Sequence, residues 1–378
     1  MKIREVKTYV LKHQLPEAEV FASSKGWYAA RQALLVEIVT DEGLSGFGEA
    51  YGPPAVNRAL VDEMYAPRLV GRDPLEHAVI WEDLYGTFRD YGRKCWPVAA
   101  ISAIDIALWD VKGKALRQPI ACLLGGAFRS QIRAYATGLY RHRVEDNARA
   151  LAREAEAYAA EGFRAVKMKV GFGLDEDVRN VRAVRAAIGP DRLLAMDANH
   201  AYDAGQATRL GRKVEDCDLA WFEEPVVPED LEGYRQVKAA LRVPIAGGET
   251  EYTRWGFRDL CERRAVDIVQ PDICGCGGFT EAWRIAALAS AAGLTVFPHV
   301  WGTAVALFAS LQLAAALPPN PPALMASELL FELDRTPNPL REELAVNPPK
   351  RAGDTIDLPT GPGLGLEIDR RVLERYRV

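Results

Sequence analysis

The sequence predicts an α/β protein, a (β/α)8-type (TIM) barrel behind an N-terminal α+β block. Three observations carry that prediction. From about residue 131, short apolar runs alternate with longer amphipathic segments through eight units, the signature of a βα repeat closing into a barrel. Before residue 131 the texture differs, with strand patterns first and helical patterns after them. Finally, run after run in the repeat ends on one charged or titratable residue, where a purely structural strand would have none.

The chain has 378 residues, of which 49% are hydrophobic and 26% charged, with a formal net charge of −5. That length buries a large core without covalent staples. The negative balance argues against nucleic acid or an anionic membrane as partner. Six cysteines are scattered without a C-x-x-C pair, which suggests reduced thiols and a cytoplasmic protein. Cys274 and Cys276 share a glycine-rich loop, but no second thiol pair or nearby histidine completes a metal site. The N-terminal MKIREVKTYVL alternates like a strand and lacks the apolar run of a signal peptide. The apolar stretch 303–317 is too short to cross a bilayer.

Strands are expected at 2–11, 32–40 and 45–49, the last two joined by a turn at Asp41-Glu42-Gly43. A helix is expected over 98–116, where Ile101, Ile104, Ala107, Leu108, Val111 and Ala115 recur at helical spacing. The eight barrel strands are read at 132–137, 165–170, 193–197, 219–223, 244–249, 267–272, 294–299 and 324–328. The division is then 1–128 for the first domain, 129–328 for the barrel, and 329–378 for a C-terminal segment returning to the first domain.

Near the C-terminal ends of these strands stand Lys169, Asp197, Glu223, Glu249, Asp272, His299 and Glu328, one βα unit apart each time. That is the face on which barrel active sites are built. Asp197, Glu223 and Glu249 come from adjacent strands and can converge. Three converging anions repel unless a cation lies between them, and all-oxygen ligands favour Mg2+ first and Mn2+ second. Lys169 flanks the carboxylates on one side in strand order, and Asp272 with His299 on the other. A carboxylate beside a histidine orients the ring and stabilises its protonated form. Lys167 lies two residues from Lys169 and so on the same strand face. A like charge that close is expected to lower the lysine pKa and suit Lys169 to general base work, while Lys167 could also hold an anionic substrate group. Such a set fits removal of a proton next to a carboxylate, with the metal stabilising the enediolate.

The segments Lys167-Met168-Lys169, Asp197-Ala198-Asn199, Phe222-Glu223-Glu224-Pro225, Gly247-Gly248-Glu249, Gln270-Pro271-Asp272 and Pro298-His299, in this order, resemble the enolase superfamily in its mandelate racemase subgroup. The resemblance covers nearly the whole chain. It implies that the N-terminal α+β domain caps the barrel mouth and that Asp197, Glu223 and Glu249 hold Mg2+. It implies Lys169 as one acid/base and His299, paired with Asp272, as the other. Glu328 matches the eighth-strand carboxylate that hydrogen-bonds the substrate carboxylate, with Glu332 close by. Glu224 is read as structural and pointing away. A sister subgroup places a second lysine at the end of strand six, but this chain has no lysine between Lys238 and Lys350, which favours the His–Asp pair.

RAYATG (133–138), DANHAY (197–202), WFEEPVVPE (221–229), QPDICGCGGF (270–279), PHVWGT (298–303) and DRTPNP (334–339) look narrower still, like the galactarolactone cycloisomerase group. The implied reaction is β-elimination in the lactone of a hexaric acid. Sugar-acid dehydration, racemisation or epimerisation, and a sugar-acid binding barrel without turnover are the alternatives. Asn199, Trp301 and Tyr140 are the expected substrate contacts, and His200 and His142 could line the same pocket. The resemblance places substrate choice in regions 21–28 and 51–57. The expected partner is a small sugar acid or its lactone, with neither nucleic acid nor membrane, in a homo-oligomer.

Overall fold

The computed structural model describes residues 1–326 and 328–378. Three antiparallel strands, Ile3–Gln14, Ala30–Thr40 and Ser45–Ala50, form the first sheet with Ala30–Thr40 in the centre. The turn expected after Thr40 is present, with Gly43 at φ 83°. Helix Trp96–Leu116 starts two residues earlier than its periodicity suggests and is buried around almost its whole circumference. It lies between the cap sheet on one side and barrel helix Gly278–Ala291 on the other. Gly48 makes the first contact possible: a Cβ there would lie 1.8 Å from the Ala103 carbonyl oxygen, so the sheet meets the helix backbone directly.

Behind the cap, the parallel barrel strands are Gln131–Thr137, Ala165–Lys169, Leu193–Asp197, Leu219–Glu223, Ile245–Gly247, Ile268–Val269, Thr295–Val296 and Leu330–Asp334. The first seven pair in chain order, and the eighth pairs with the first, in register from Leu330 with Arg133 to Asp334 with Thr137. Seven strands coincide with the apolar runs read from the sequence. The eighth is a correction. The run 324–328 is not a strand: Leu324 and Met325 are 101% and 90% exposed, and Ser327 lies outside the described residues. The true strand begins at Leu330, where LLFELD is buried throughout.

Two features join cap to barrel. The cap hairpin Phe21–Ser23 and Gly26–Tyr28 is extended by Arg141–His142 from the loop after the first barrel strand, with Phe21 opposite His142. At the other end, helix Arg370–Tyr376 packs on strand Ile3–Gln14, Val378 N–H donates to the Val10 carbonyl at 2.9 Å, and Arg370 pairs with Glu37. Among the described residues no helix is long and apolar enough to cross a membrane.

Candidate active site

Strand alternation turns both Lys167 and Lys169 inward, and both are buried. Lys167 Nζ meets Glu223, lies 2.8 Å from Glu332 and 3.9 Å from Asp197. Lys169 Nζ meets Asp197 and stands 5.1 Å from the Tyr140 ring centre. The expected lowering of the lysine pKa is not what this geometry gives. Burial pulls both amines down, but Glu223 and Glu332 around Lys167, and Asp197 beside Lys169, outweigh it and hold both well above the ordinary value. The repulsion of Lys169 by Lys167 is present but smaller, because each amine sits nearer a carboxylate than the other amine.

Asp197, Glu223 and Glu249 are buried and bring ligand oxygens within 4.8 Å of one another. Two of the three are oriented from outside the cluster. Asp197 accepts from Asn199 N–H at 2.8 Å. Glu223 accepts from Trp221 Nε1 at 2.9 Å and Gln270 Nε2 at 2.7 Å. Glu249 Oε2 is buried with no hydrogen-bond partner. Burial pushes the Glu223 carboxyl up to about 8 despite Lys167, while the two lysines hold Asp197 down against its own burial. Oxygen-only donors, converging and incompletely satisfied, fit a hard divalent cation such as Mg2+.

His299 approaches from the Glu249 side. Its Nδ1 lies 2.7 Å from Asp272 Oδ2, and Asp272 Oδ1 accepts from Cys274 N–H at 2.6 Å. The carboxylate is thus fixed before it fixes the ring. Nε2 lies 3.5 Å from Glu249 Oε2, and the Tyr51 ring meets the imidazole edge-on at 5.9 Å. Burial disfavours the imidazolium, but Glu249, Glu332 and Asp272 raise it to about 10. Lys169 and His299 therefore flank the carboxylates from opposite ends, one against Asp197 and the other against Glu249.

The eighth-strand carboxylate at the mouth is Glu332. It is buried, accepts from Thr137 Oγ1 at 2.6 Å and Val300 N–H at 3.0 Å, and pairs with Lys167. Glu328 is corrected accordingly: its side chain is 55% exposed, ahead of the strand's start, and pairs with Arg133 Nε at 2.5 Å. Glu224, read as structural, does not continue the strand. The strand ends at Glu223, alternation ends with it, and at φ 45° Glu224 is buried 2.9 Å from His200 Nε2, with Asn199 Nδ2 at 3.4 Å.

Tyr140 packs edge-on against Phe21, and Trp301 is sandwiched by Tyr28 at 5.0 Å and the Arg31 guanidinium at 4.2 Å. Trp301 Nε1 is buried and without a partner. Asn199 is buried next to Asp197, and His142 is pinned to Glu154 at 3.0 Å. Lys25 lies in region 21–28, where substrate choice is expected, though the sequence assigns it no role. Its Nζ lies 3.9 Å from Glu249 Oε1, and its side chain is 40% exposed. The loop that carries it is docked by Ser24 Oγ, which donates to the Ala198 carbonyl at 2.8 Å. No local pattern marks Lys25 or Tyr51, since both reach the mouth from the cap. Gln270 had a signal, being two residues from Asp272 along the same run.

Two family models match the chain: Mandelate racemase / muconate lactonizing enzyme, N-terminal domain, over residues 5–125, and Enolase C-terminal domain-like, over residues 150–372. The chain is 45% identical over 382 residues to D-galactarolactone cycloisomerase of Agrobacterium fabrum, covering 100% of this chain and 99% of that protein. The crystal structure of the 3,6-anhydro-D-galactonate cycloisomerase from Zobellia galactanivorans superposes with a TM-score of 0.91 at 41% identity, covering 100% of both chains. A racemase from Streptomyces coelicolor A3(2), solved with bound magnesium, superposes with a TM-score of 0.89 at 29% identity, again over 100% of both chains.

Proposed function

The chain belongs to the mandelate racemase and muconate lactonizing enzyme family of the enolase superfamily, and from that premise we propose that it is a cycloisomerase acting on the lactone of a hexaric acid such as galactarolactone. The observation that carries the reading is the buried carboxylate triad with Lys169 at one end and the His299–Asp272 pair at the other. The likeness to two cycloisomerases supports the choice of reaction.

Asp197, Glu223 and Glu249 would hold a divalent cation, Mg2+ by donor chemistry, which when bound would supply positive charge where a second negative charge develops on the substrate carboxylate. The neighbouring carboxylates keep both Lys169 and His299 protonated. With that negative charge offset by a divalent cation on Asp197, Glu223 and Glu249, one of the two would be free to take the α-proton, the configuration of that carbon deciding which. The C–H electron pair becomes a C=C bond as the ring C–O bond on the next carbon breaks. The ring oxygen leaves as the carboxylate of the opened lactone, and the enol takes up a proton to give a keto acid. Asp272 keeps Nε2 of His299 directed at the mouth. Lys167 places a fixed positive charge beside Glu223 and Glu332, and Glu332 fills the eighth-strand position first read at Glu328, held ionised by Lys167 and His299. Trp301, Tyr140 and Asn199 are proposed substrate contacts, with Lys25 added over Glu249.

NMR of galactarolactone in D2O with Mg2+ tests the reading. A ring-opened keto acid with deuterium incorporated is expected. Turnover only of open-chain aldonic acids to 2-keto-3-deoxy acids would replace cycloisomerisation with dehydration, and no exchange of the α-proton in any sugar acid would overturn the reading. Leu324 and Met325 are exposed, and an apolar groove of about 600 Å3 is lined by Phe128, Trp283 and Leu329. They support a homo-oligomer, which sedimentation would test. The six free cysteines support a cytoplasmic location.

A further inference from the structure

A sugar acid is an anion, and the chain approaching it has a formal net charge of −5. Beside the mouth, on the seam of cap and barrel, lies a cleft of about 610 Å3 with the opposite local balance. Arg89, Arg93, Lys94 and Arg258 line it, and Asp259 is its one acidic wall residue. Asp259 pairs with Arg258 at 3.0 Å, and Glu251 pairs with Lys94 at 2.7 Å. Among the described residues Arg89 and Arg93 have no ion pair; Arg89 lies 5.4 Å over the Tyr85 ring, and both are exposed. Two guanidiniums are thus left free in a concave, partly apolar setting. Arginine stays charged at any working pH and matches a carboxylate with two parallel hydrogen bonds.

On both sides the chain next to the cleft leads to the mouth. On the barrel side, Glu251 follows Glu249 by two residues and its N–H donates to the Gly248 carbonyl at 3.1 Å. On the cap side, Trp96 follows Lys94 by two residues and packs on Gly52, where a Cβ would lie 3.3 Å from the indole. Gly52 adjoins Tyr51, whose ring meets His299.

We propose that the Arg89–Arg93 cleft is an anion-capture site that gathers the carboxylate of a sugar acid before it enters the mouth; this rests on the sugar-acid reading above. A cleft of net positive charge with low-dielectric walls focuses the field and raises the on-rate of an anionic ligand, an effect that salt erases over a Debye length.

Two measurements on the full chain test it. In calorimetry of EDTA-treated protein, galactarate should bind weakly but saturably, at least as well as inorganic phosphate, and Arg89→Glu/Arg93→Glu should abolish binding. In steady-state kinetics with Mg2+, kcat/KM of the double variant should fall roughly ten-fold at low salt, with a flatter salt dependence and unchanged kcat. If the double variant melts early, Arg93→Gln alone carries the same test with a smaller drop. Unchanged galactarate binding and an unchanged salt profile would overturn the proposal while leaving the catalytic reading intact. Binding of phosphate without galactarate would also overturn it. If no sugar acid turns over, the catalytic reading fails and the calorimetric result alone decides.

Discussion

The two ends of this barrel are built from opposite materials. At the C-terminal end of the strands, Lys167, Lys169, Asp197, Glu223, Glu249, Asp272, His299 and Glu332 are all buried. At the other end, Phe128, Leu324 and Met325 are exposed, and the charged Glu328 and Arg133 answer one another at the surface. One end buries charge and the other exposes apolar surface, each against its solvation preference. A fold tolerates that inversion where it serves something outside the fold. The mouth has converging, partly unpartnered polar atoms, as a site for chemistry requires. Among the described residues the opposite end has an apolar groove and no comparable set of buried charges.

Substitutions at the mouth should break this contrast most severely. Lys169→Ala and His299→Asn should each cut exchange of the substrate α-proton by about 10²–10⁴-fold, the usual range for a lost acid or base, with melting little changed; deuterium exchange followed by NMR checks it. Glu332→Gln and Glu328→Gln form the sharpest paired comparison. The first should depress turnover strongly and the second should leave it intact, although both belong to the same stretch of chain. Equal effects would dissolve the distinction between the ends.

Between the ends lies the seam. Arg31 is buried, donates to Asp334 and Thr336, and underlies Trp301. Arg31→Ala should cost about 2–3 kcal/mol in chemical denaturation, at the lower end for a broken buried pair because Arg341 still meets Asp334 at 2.6 Å. Asp105, also on the seam, accepts from Thr280 N–H at 2.9 Å, yet burial pushes its carboxyl up to about 7 from an ordinary 3.8. The folded state then holds this proton more tightly than the unfolded state, so stability should fall as pH rises from about 4 to 7. Glu49, raised by burial to about 7, acts in the same direction. Asp105→Asn should flatten part of that slope in thermal melts across this pH window. The smallest effect belongs to the exposed end: Glu328→Ala should shift stability by no more than about 0.5 kcal/mol.

The same contrast explains what could be read without coordinates. Lys169, Asp197, Glu223, Glu249, Asp272 and His299 announce themselves because a charge at the end of an apolar run violates the burial rule at a regular interval. The eighth position misled for the same reason. Leu324-Met325-Ala326-Ser327-Glu328 imitates an apolar run ending in a carboxylate, and only the exposure of Leu324 and Met325 exposes the imitation. The direction of the lysine shifts was illegible, since sequence spacing gives the lysine neighbour but not the nearer carboxylates. Arg31 was illegible too, and the regions of Lys25 and Tyr51 were marked without the contacts these residues make, because a cap residue reaches the mouth only through the docking of one domain on another.

The return of the chain's end to its beginning has a consequence for how the protein is made. Arg370 meets Glu37 from 333 positions away, and Leu11 bridges to Arg377. Ribosomal synthesis delivers the cap strands first and the helix that covers them last. Until then strand Ile3–Gln14 lacks its outer neighbour, and such long-separated contacts close slowly. Nascent chains of this protein should therefore recruit chaperones at the cap sheet, well before the barrel that does the chemistry has emerged.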